Sequence, residues 1–203
     1  MTERKRRIVV TGSKGLVGSH TFDYAKAQGA DVLGVDIVGR GNLTDYISAD
    51  LTDLGQVFDV LHGADAVIHL AAINAQRVYP AARTYMTNLA STFNVFQACY
   101  QLGIKRVVAA SSIQVNHTVT PRTPIRYQYF PFDEAHPVDP QDDYSLSKYS
   151  GELAADTFAH HYGLTIVSLR FTGVYMPESL YKLAPGEEPD ITSVHYSYID
   201  PRD

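Results

Sequence analysis

Three kinds of side chain in this sequence can move a proton together: the hydroxyl pair Ser111-Ser112, the phenol of Tyr144 and the ammonium of Lys148. In the run Tyr144-Ser-Leu-Ser-Lys148 the phenol and the lysine are four residues apart, so a helix carries both on one face. An ammonium beside a phenol favours the phenolate and brings a group that ordinarily ionises near pH ~10 toward use as a neutral-pH proton acceptor. The spacing alone recurs by chance on exposed helices. The hydroxyl pair distinguishes this instance, because it ends the buried strand-like run Val107-Val108-Ala109-Ala110, where apolar residues are the rule. One hydroxyl to polarise a substrate oxygen, one phenol to move its proton and one lysine to tune the phenol form a coherent set beside a dinucleotide.

Such a cofactor needs a phosphate cradle, and the chain begins with one. Ile8 to Gly18 reads as a β-branched strand that breaks into a glycine-spaced turn and then a helix. Gly12, Gly15 and Gly18 allow a tight turn, close approach to a pyrophosphate and close packing of helix on strand. The helix start, at Leu16 and Val17, offers unpaired N–H groups and the positive end of its dipole. Asp36 closes a second strand, Val32-Leu33-Gly34-Val35, at the distance beyond the glycines where a carboxylate can accept from both adenosine ribose hydroxyls. That carboxylate repels a ribose phosphate and favours NAD over NADP, while Lys14 and Arg40 keep NADP open.

The elements that position these groups repeat one unit, an amphipathic segment ending in glycine and then a strand. It recurs as Gly29 before Asp31–Asp36, Gly63 before Asp65–Leu70, Gly103 before Lys105–Ala110 and Gly163 before Leu164–Arg170, each glycine a helix C-cap. Near-continuous apolar strands alternating with helices predict an α/β fold, a parallel, doubly wound, Rossmann-like sheet with both faces covered. Tyr85, Leu89, Phe93, Phe96 and Tyr100 mark one helix face and are expected in the core. An insertion rich in proline and aromatics, from about Pro121 to Pro140, leaves the carboxyl end of the third of these strands, on the ligand side of such a sheet. Its Tyr127, Tyr129, Phe130 and Phe132 suit either a substrate wall or packing of the loop on itself. The expected organisation is a dinucleotide-binding domain over residues 1–170, carrying the catalytic set, and a partial substrate-binding segment over 171–203, where a short strand-like piece, His195–Ile199, precedes an abrupt end at Asp203.

Composition narrows the classes. The 203 residues suit one core, and a net charge of −5 gives no general attraction to nucleic acid or an anionic membrane. No apolar run reaches transmembrane length, and Arg4-Lys5-Arg6-Arg7 reads as a solvated flank, so a soluble, cytoplasmic protein is expected. The single Cys99 excludes an internal disulfide and reads as a small core residue. His160-His161, His195, His117 and His136 show no metal-ligand spacing, and no metal is assigned.

With those residues in place, the sequence resembles the extended short-chain dehydrogenase/reductase family, the NAD-dependent epimerase/dehydratase group. Thr11-Gly12-x-x-Gly15-x-x-Gly18 matches its phosphate loop, and the resemblance covers nearly the whole chain. It implies that Asp50 and Leu51, in Asp50-Leu51-Thr52-Asp53, border the adenine. Leu70, Ala71 and Ala72 become the strand end under the cofactor, and Asn88 the helix asparagine near the site. Ser112, Tyr144 and Lys148 match the catalytic Ser, Tyr and Lys, with Lys148 also on the nicotinamide ribose. The implied activity is an NAD-dependent oxidoreductase or epimerase acting on a sugar, nucleotide sugar or sugar-like alcohol by hydride transfer.

Departures from the family pattern refine this. Ile113-Gln114 stands where dehydratases carry Asp-Glu, which disfavours dehydration. Val115-Asn116-His117 and Arg170-Phe-Thr-Gly173-Val-Tyr-Met176-Pro177 depart from the nucleotide-sugar pattern and point to a dehydrogenase of a free sugar or sugar acid as the alternative. Arg170 and Lys182 suit either anion contacts or solvated or structural roles. The resemblance also implies a homodimer through the helices at Pro80–Leu102 and Asp143–Tyr162. A dinucleotide-binding protein or fragment without turnover is the reading from another class.

Overall fold

Strand, turn and helix follow one another as the apolar spacing dictates. A computed structural model describes residues 5–39, 44–74, 79–116, 123, 128–176 and 198–199. Strand β1 (Arg7–Thr11) runs into α1 (Leu16–Ala27), then β2 (Asp31–Asp36), the short β3 (Tyr46–Ser48), α2 (Leu54–Leu61) and β4 (Ala66–His69). The long α3 (Ala81–Leu102) leads to β5 (Arg106–Ser112), a 3-10 turn at Ile113–Asn116, α4 (Asp143–Tyr162) and β6 (Thr165–Phe171). These strands form one six-stranded sheet in the order β3-β2-β1-β4-β5-β6, every pairing parallel. The order reverses between β1 and β4, and a doubly wound sheet binds its ligand outside the strand ends at that switch point. Two further short strands, β7 (Gly173–Val174) and β8 (Tyr198–Ile199), pair separately.

Helix boundaries obey local chemistry. The four glycines read as C-caps all take positive φ, between 70° and 82°. At the other end of α4, Asp142 accepts the Ser145 N–H at 2.7 Å while Ser145 Oγ accepts the Asp142 N–H at 3.1 Å. That reciprocal cap contributes about 1 kcal/mol and fixes where the helix starts, which places Tyr144 in its first turn.

Packing divides into two layers around the sheet. Val9, Leu33, Val35, Val67, Val107 and Ala109 meet Val57 and Leu61 of α2, Val95, Phe96 and Cys99 of α3, and Phe158 of α4. On the opposite face Val10 and Val32 meet Phe22 and Ala25 of α1. Cys99 is fully buried, as expected, and burial pushes its thiol up to about 12.

Two expectations need correction. The aromatic stripe of α3 is core only in part: Phe96 is fully buried, but Phe93 and Tyr100 are 47% and 42% exposed. The buried residues of α3 are Thr84, Asn88, Ser91, Val95, Phe96, Ala98 and Cys99, of which Val95, Phe96, Ala98 and Cys99 join the core with the strands. The stripe lies along the seam with α4, where Phe93 packs edge-on to Phe158 at 5.7 Å and Tyr100 to Tyr162 at 4.9 Å. Nor are both faces of the sheet covered throughout. Along β6 alternate residues turn outward, and among the described residues Val167 and Leu169 stay 49% and 39% exposed. Among those residues no helix is long and apolar enough to cross a membrane. Tyr127, Lys182, Arg40, His117 and His195 lie outside the described residues.

Candidate active site

The cradle is made of backbone in contact with backbone. Gly12 sits at φ +67°, and a Cβ on it would come within 2.6 Å of the Ala71 nitrogen. A Cβ on Gly18 would meet the Gly12 carbonyl oxygen at 2.0 Å, so α1 can seat against β1 only without a side chain there. Gly15 differs: a Cβ would meet only that oxygen, at 3.3 Å, leaving the space before the helix start open. Gly15 is also the N-cap and no side chain caps α1, so the first-turn N–H groups at Leu16, Val17 and Gly18 are available to an anion. Asp36, at the carboxyl end of β2, accepts from the Lys14 N–H at 3.0 Å and the Val38 N–H at 3.4 Å, which orients its carboxylate beside the glycine turn. The Lys14 ammonium is held by the Gly39 carbonyl. These residues fit a dinucleotide, with a pyrophosphate at the helix start and a ribose at Asp36.

A polar chain ties the cradle to its neighbours. Thr11 Oγ1 accepts from the N–H groups of Leu70 (3.2 Å) and Ala71 (3.3 Å), so its own proton goes to His69 Nδ1 at 2.8 Å. The His69 proton therefore lies on Nε2, which donates to Thr92 Oγ1 of α3 at 3.2 Å. Asn88 spends its amide on the same segment: Oδ1 accepts from the Ile73 N–H, and Nδ2 donates to the Ile73 carbonyl and to Ser147 Oγ. The structure thus commits Asn88 to bracing the 70–73 segment against α4. Leu51 is buried, Ala72 is exposed, and Asp50 accepts within its own turn from the N–H and hydroxyl of Thr52.

Beside the cradle, Ser112, Tyr144 and Lys148 converge at the end of β5. Ser112 Oγ accepts from the Gln114 N–H at 3.2 Å and bonds the Tyr144 phenol. Lys148, 8% exposed, donates to the Ala110 carbonyl at 2.8 Å with its ammonium 5.7 Å from the Tyr144 ring centre. Burial lowers Lys148 to about 8. The phenol departs from the sequence expectation. Burial raises it above the ordinary tyrosine value, the Ser112 hydrogen bond works against that rise, and the Asp142 charge adds to it. A lysine that is itself desolvated and directed at a carbonyl does little to lower its neighbour.

Sequence reasoning passed over Glu152 and read Asn116 only as a departure from the nucleotide-sugar pattern. Glu152 continues the four-residue spacing of Tyr144 and Lys148 and accepts from Ser111 Oγ at 2.5 Å and from Arg170 through two nitrogens. The spacing was the available signal, but an acid on a helix is ordinarily solvated. Of the two roles left open for Arg170, anion contact or structural, the structure shows the second: it is paired with Glu152. In the insertion, Tyr129 and Phe132 lie 5.2 and 4.6 Å from the His136 ring, so those aromatics pack on their own loop, while Phe130 is 73% exposed.

With the switch-point crevice and the Ser–Tyr–Lys cluster on one sheet edge, the molecule is of the extended short-chain dehydrogenase/reductase type. Within that class, the profile of the NAD dependent epimerase/dehydratase family matches residues 8–189, and the chain belongs to that family. It is 29% identical over 184 residues to a uronate dehydrogenase of Pseudomonas putida, covering 87% of this chain and 65% of that protein. A short-chain dehydrogenase/reductase superfamily protein from Agrobacterium tumefaciens, solved with bound NAD, superposes with a TM-score of 0.76 at 29% identity, over 84% of this chain and 50% of that one. UDP-glucose 4-epimerase from Thermotoga maritima, solved with UDP-glucose, gives a TM-score of 0.72 at 27% identity, over 84% and 57%. The chain spans half to two thirds of the length of these proteins.

Proposed function

We propose that this chain carries the cofactor-binding and catalytic part of an NAD-dependent oxidoreductase or epimerase acting on a sugar-like alcohol. The observation that carries the reading is the convergence of Ser112, Tyr144 and Lys148 beside the glycine cradle. NAD, when bound, supplies a hydride acceptor. Ser112 holds the substrate hydroxyl oxygen, and Tyr144 Oη, as the phenolate that the positive charge of bound oxidised cofactor would favour, takes its proton as the carbinol carbon is oxidised. Lys148, at about 8, exchanges protons near neutrality and grips the cofactor ribose. The Asp36 carboxylate favours NAD over NADP, since a ribose phosphate placed there meets like charge.

A dehydrogenase of a free sugar or sugar acid is the narrower reading. The Asn116 amide is occupied by Arg170 and the insertion rather than open to a nucleotide, and the uronate dehydrogenase relative acts in that class by its name. A test follows from cofactor accounting in the complete protein. A dehydrogenase accumulates NADH absorbance with aldoses or uronic acids, an epimerase interconverts nucleotide sugars with no net NADH, and neither signal across both panels sinks the enzymatic reading.

A further inference from the structure

Arg170 spends every guanidinium nitrogen on the protein. Nε and one terminal nitrogen grip the two carboxylate oxygens of Glu152 at 2.9 and 2.7 Å, and the other terminal nitrogen donates to Asn116 Oδ1 at 3.2 Å and the Glu134 carbonyl at 3.3 Å. Both side chains are sheltered, 21% and 13% exposed, and a bidentate fork fixes geometry as a solvated surface pair does not. Glu152 lies one turn beyond Lys148 on α4, and Arg170 stands opposite Ser111 in the β5–β6 register. The chain of contacts continues outward. Asn116 Nδ2 donates to the carbonyls of His136 and Pro137 at 3.0 and 3.1 Å, and the Asp139 N–H donates to the Val115 carbonyl at 2.9 Å. His136 in turn accepts the Gln128 N–H at 3.2 Å.

We propose that Glu152 and Arg170 are positioning residues that latch residues 128–139 of the insertion onto the sheet edge beside Ser112 and Tyr144, and so set the wall that the substrate meets. The latch itself stands on the contacts above; its consequence for substrate rests on the oxidoreductase reading. The pair acts through other residues, since Arg170 reaches the loop partly through Asn116, and Glu152 holds Arg170 in place.

Arg170→Lys separates the two arms. A single ammonium can still meet Glu152 but cannot also span to Asn116 and Glu134. Hydrogen exchange on the full chain should then quicken about tenfold or more at Gln128, Ala135, His136 and Asp139, with β5 and α4 as protected as in the wild type. NAD titration should be unchanged. Asn116→Ala should give the same pattern, and the double variant should loosen the loop no further than either single change. Unchanged protection over 128–139 in both variants overturns the latch, as does loosening that spreads through β5, β6 and α4. Where the wild type turns over a sugar, KM should rise several-fold in both variants with kcat near the wild-type value, and an unchanged KM over a released loop refutes the substrate wall. A wild type inert toward every sugar sinks the oxidoreductase reading and the substrate wall with it, while the exchange pattern still decides the latch.

Discussion

At the β1, β2 and β4 end of the crevice the chain holds its shape by backbone meeting backbone, with Gly12 against Ala71 and Gly18 against the Gly12 carbonyl. At the β5 and β6 end it does so through side chains, with Lys148 on Ala110, Glu152 on Ser111 and Arg170, and Asn116 on the insertion. The first construction is sterically closed at Gly12 and Gly18, where a side chain has no room. The second rests on side-chain contacts and, on the reading proposed above, carries the reacting groups and the substrate wall, where individual residues can change while the cradle stays intact. On that reading the difference assigns cofactor class to one region and chemical identity to the other.

Five substitutions test that division. Tyr144→Phe belongs wholly to the side-chain region, and turnover should fall 10²- to 10⁴-fold by order of magnitude while NAD affinity, read by calorimetry, stays put. A matching loss of NAD affinity would break the division. Gly18→Ala should cost about 3 kcal/mol in urea unfolding and remove NAD binding, because a methyl at 2.0 Å from a carbonyl oxygen forces α1 off β1. Gly15→Ala, by contrast, should leave stability within about 1 kcal/mol while still weakening NAD, if that glycine faces the cofactor alone.

Lys148→Met probes the buried ammonium. With Lys148 at about 8 in the fold against 10.5 in the unfolded chain, the unfolded state binds the extra proton between those values, so wild-type stability rises with pH across that window. The rise amounts to about 3 kcal/mol and should vanish in the variant, as urea midpoints from pH 7.5 to 10 would reveal. The smallest effect is expected at the outer face of α3 and α4. Met86, Phe93 and Tyr100 repeat every seventh residue on α3, as do Leu146 and Leu153 on α4, all at least 42% exposed. We expect two copies to pair there. Phe93→Glu should turn a dimer into a monomer in light scattering with NAD affinity nearly unchanged, and a wild-type monomer at micromolar concentration removes the idea.

The same division explains what the sequence revealed. A backbone-built site demands glycine at fixed intervals, so Gly12, Gly15, Gly18 and the strand-closing Asp36 announce it, and the helix-ending glycines announce the sheet. Tyr144 and Lys148 were legible because helical spacing is local. Glu152 was not, for an acid on a helix is usually solvated and its partners Ser111 and Arg170 come from distant strands. The α3 stripe misled in part because periodicity reveals that a helix has a face without revealing which neighbour receives it; here Phe93 and Tyr100 went to α4 while Phe96 and Val95 joined the core with the strands. The insertion carries no period, so nothing local indicated that Asn116 and Arg170 would anchor it.

The Thr11–His69–Thr92 chain has a consequence for acid tolerance. Burial, with the Lys148 charge adding to it, lowers His69 to about 3 from 6.5, and both ring nitrogens are already engaged. Below pH 6.5 the unfolded chain takes up a proton that the folded one refuses, so stability drains by about 1.4 kcal/mol for each pH unit until the folded value is reached. His69 is therefore one group whose titration weakens this fold on acidification, and a variant with Gln in its place should lose that pH dependence between about pH 6.5 and 4 in urea midpoints.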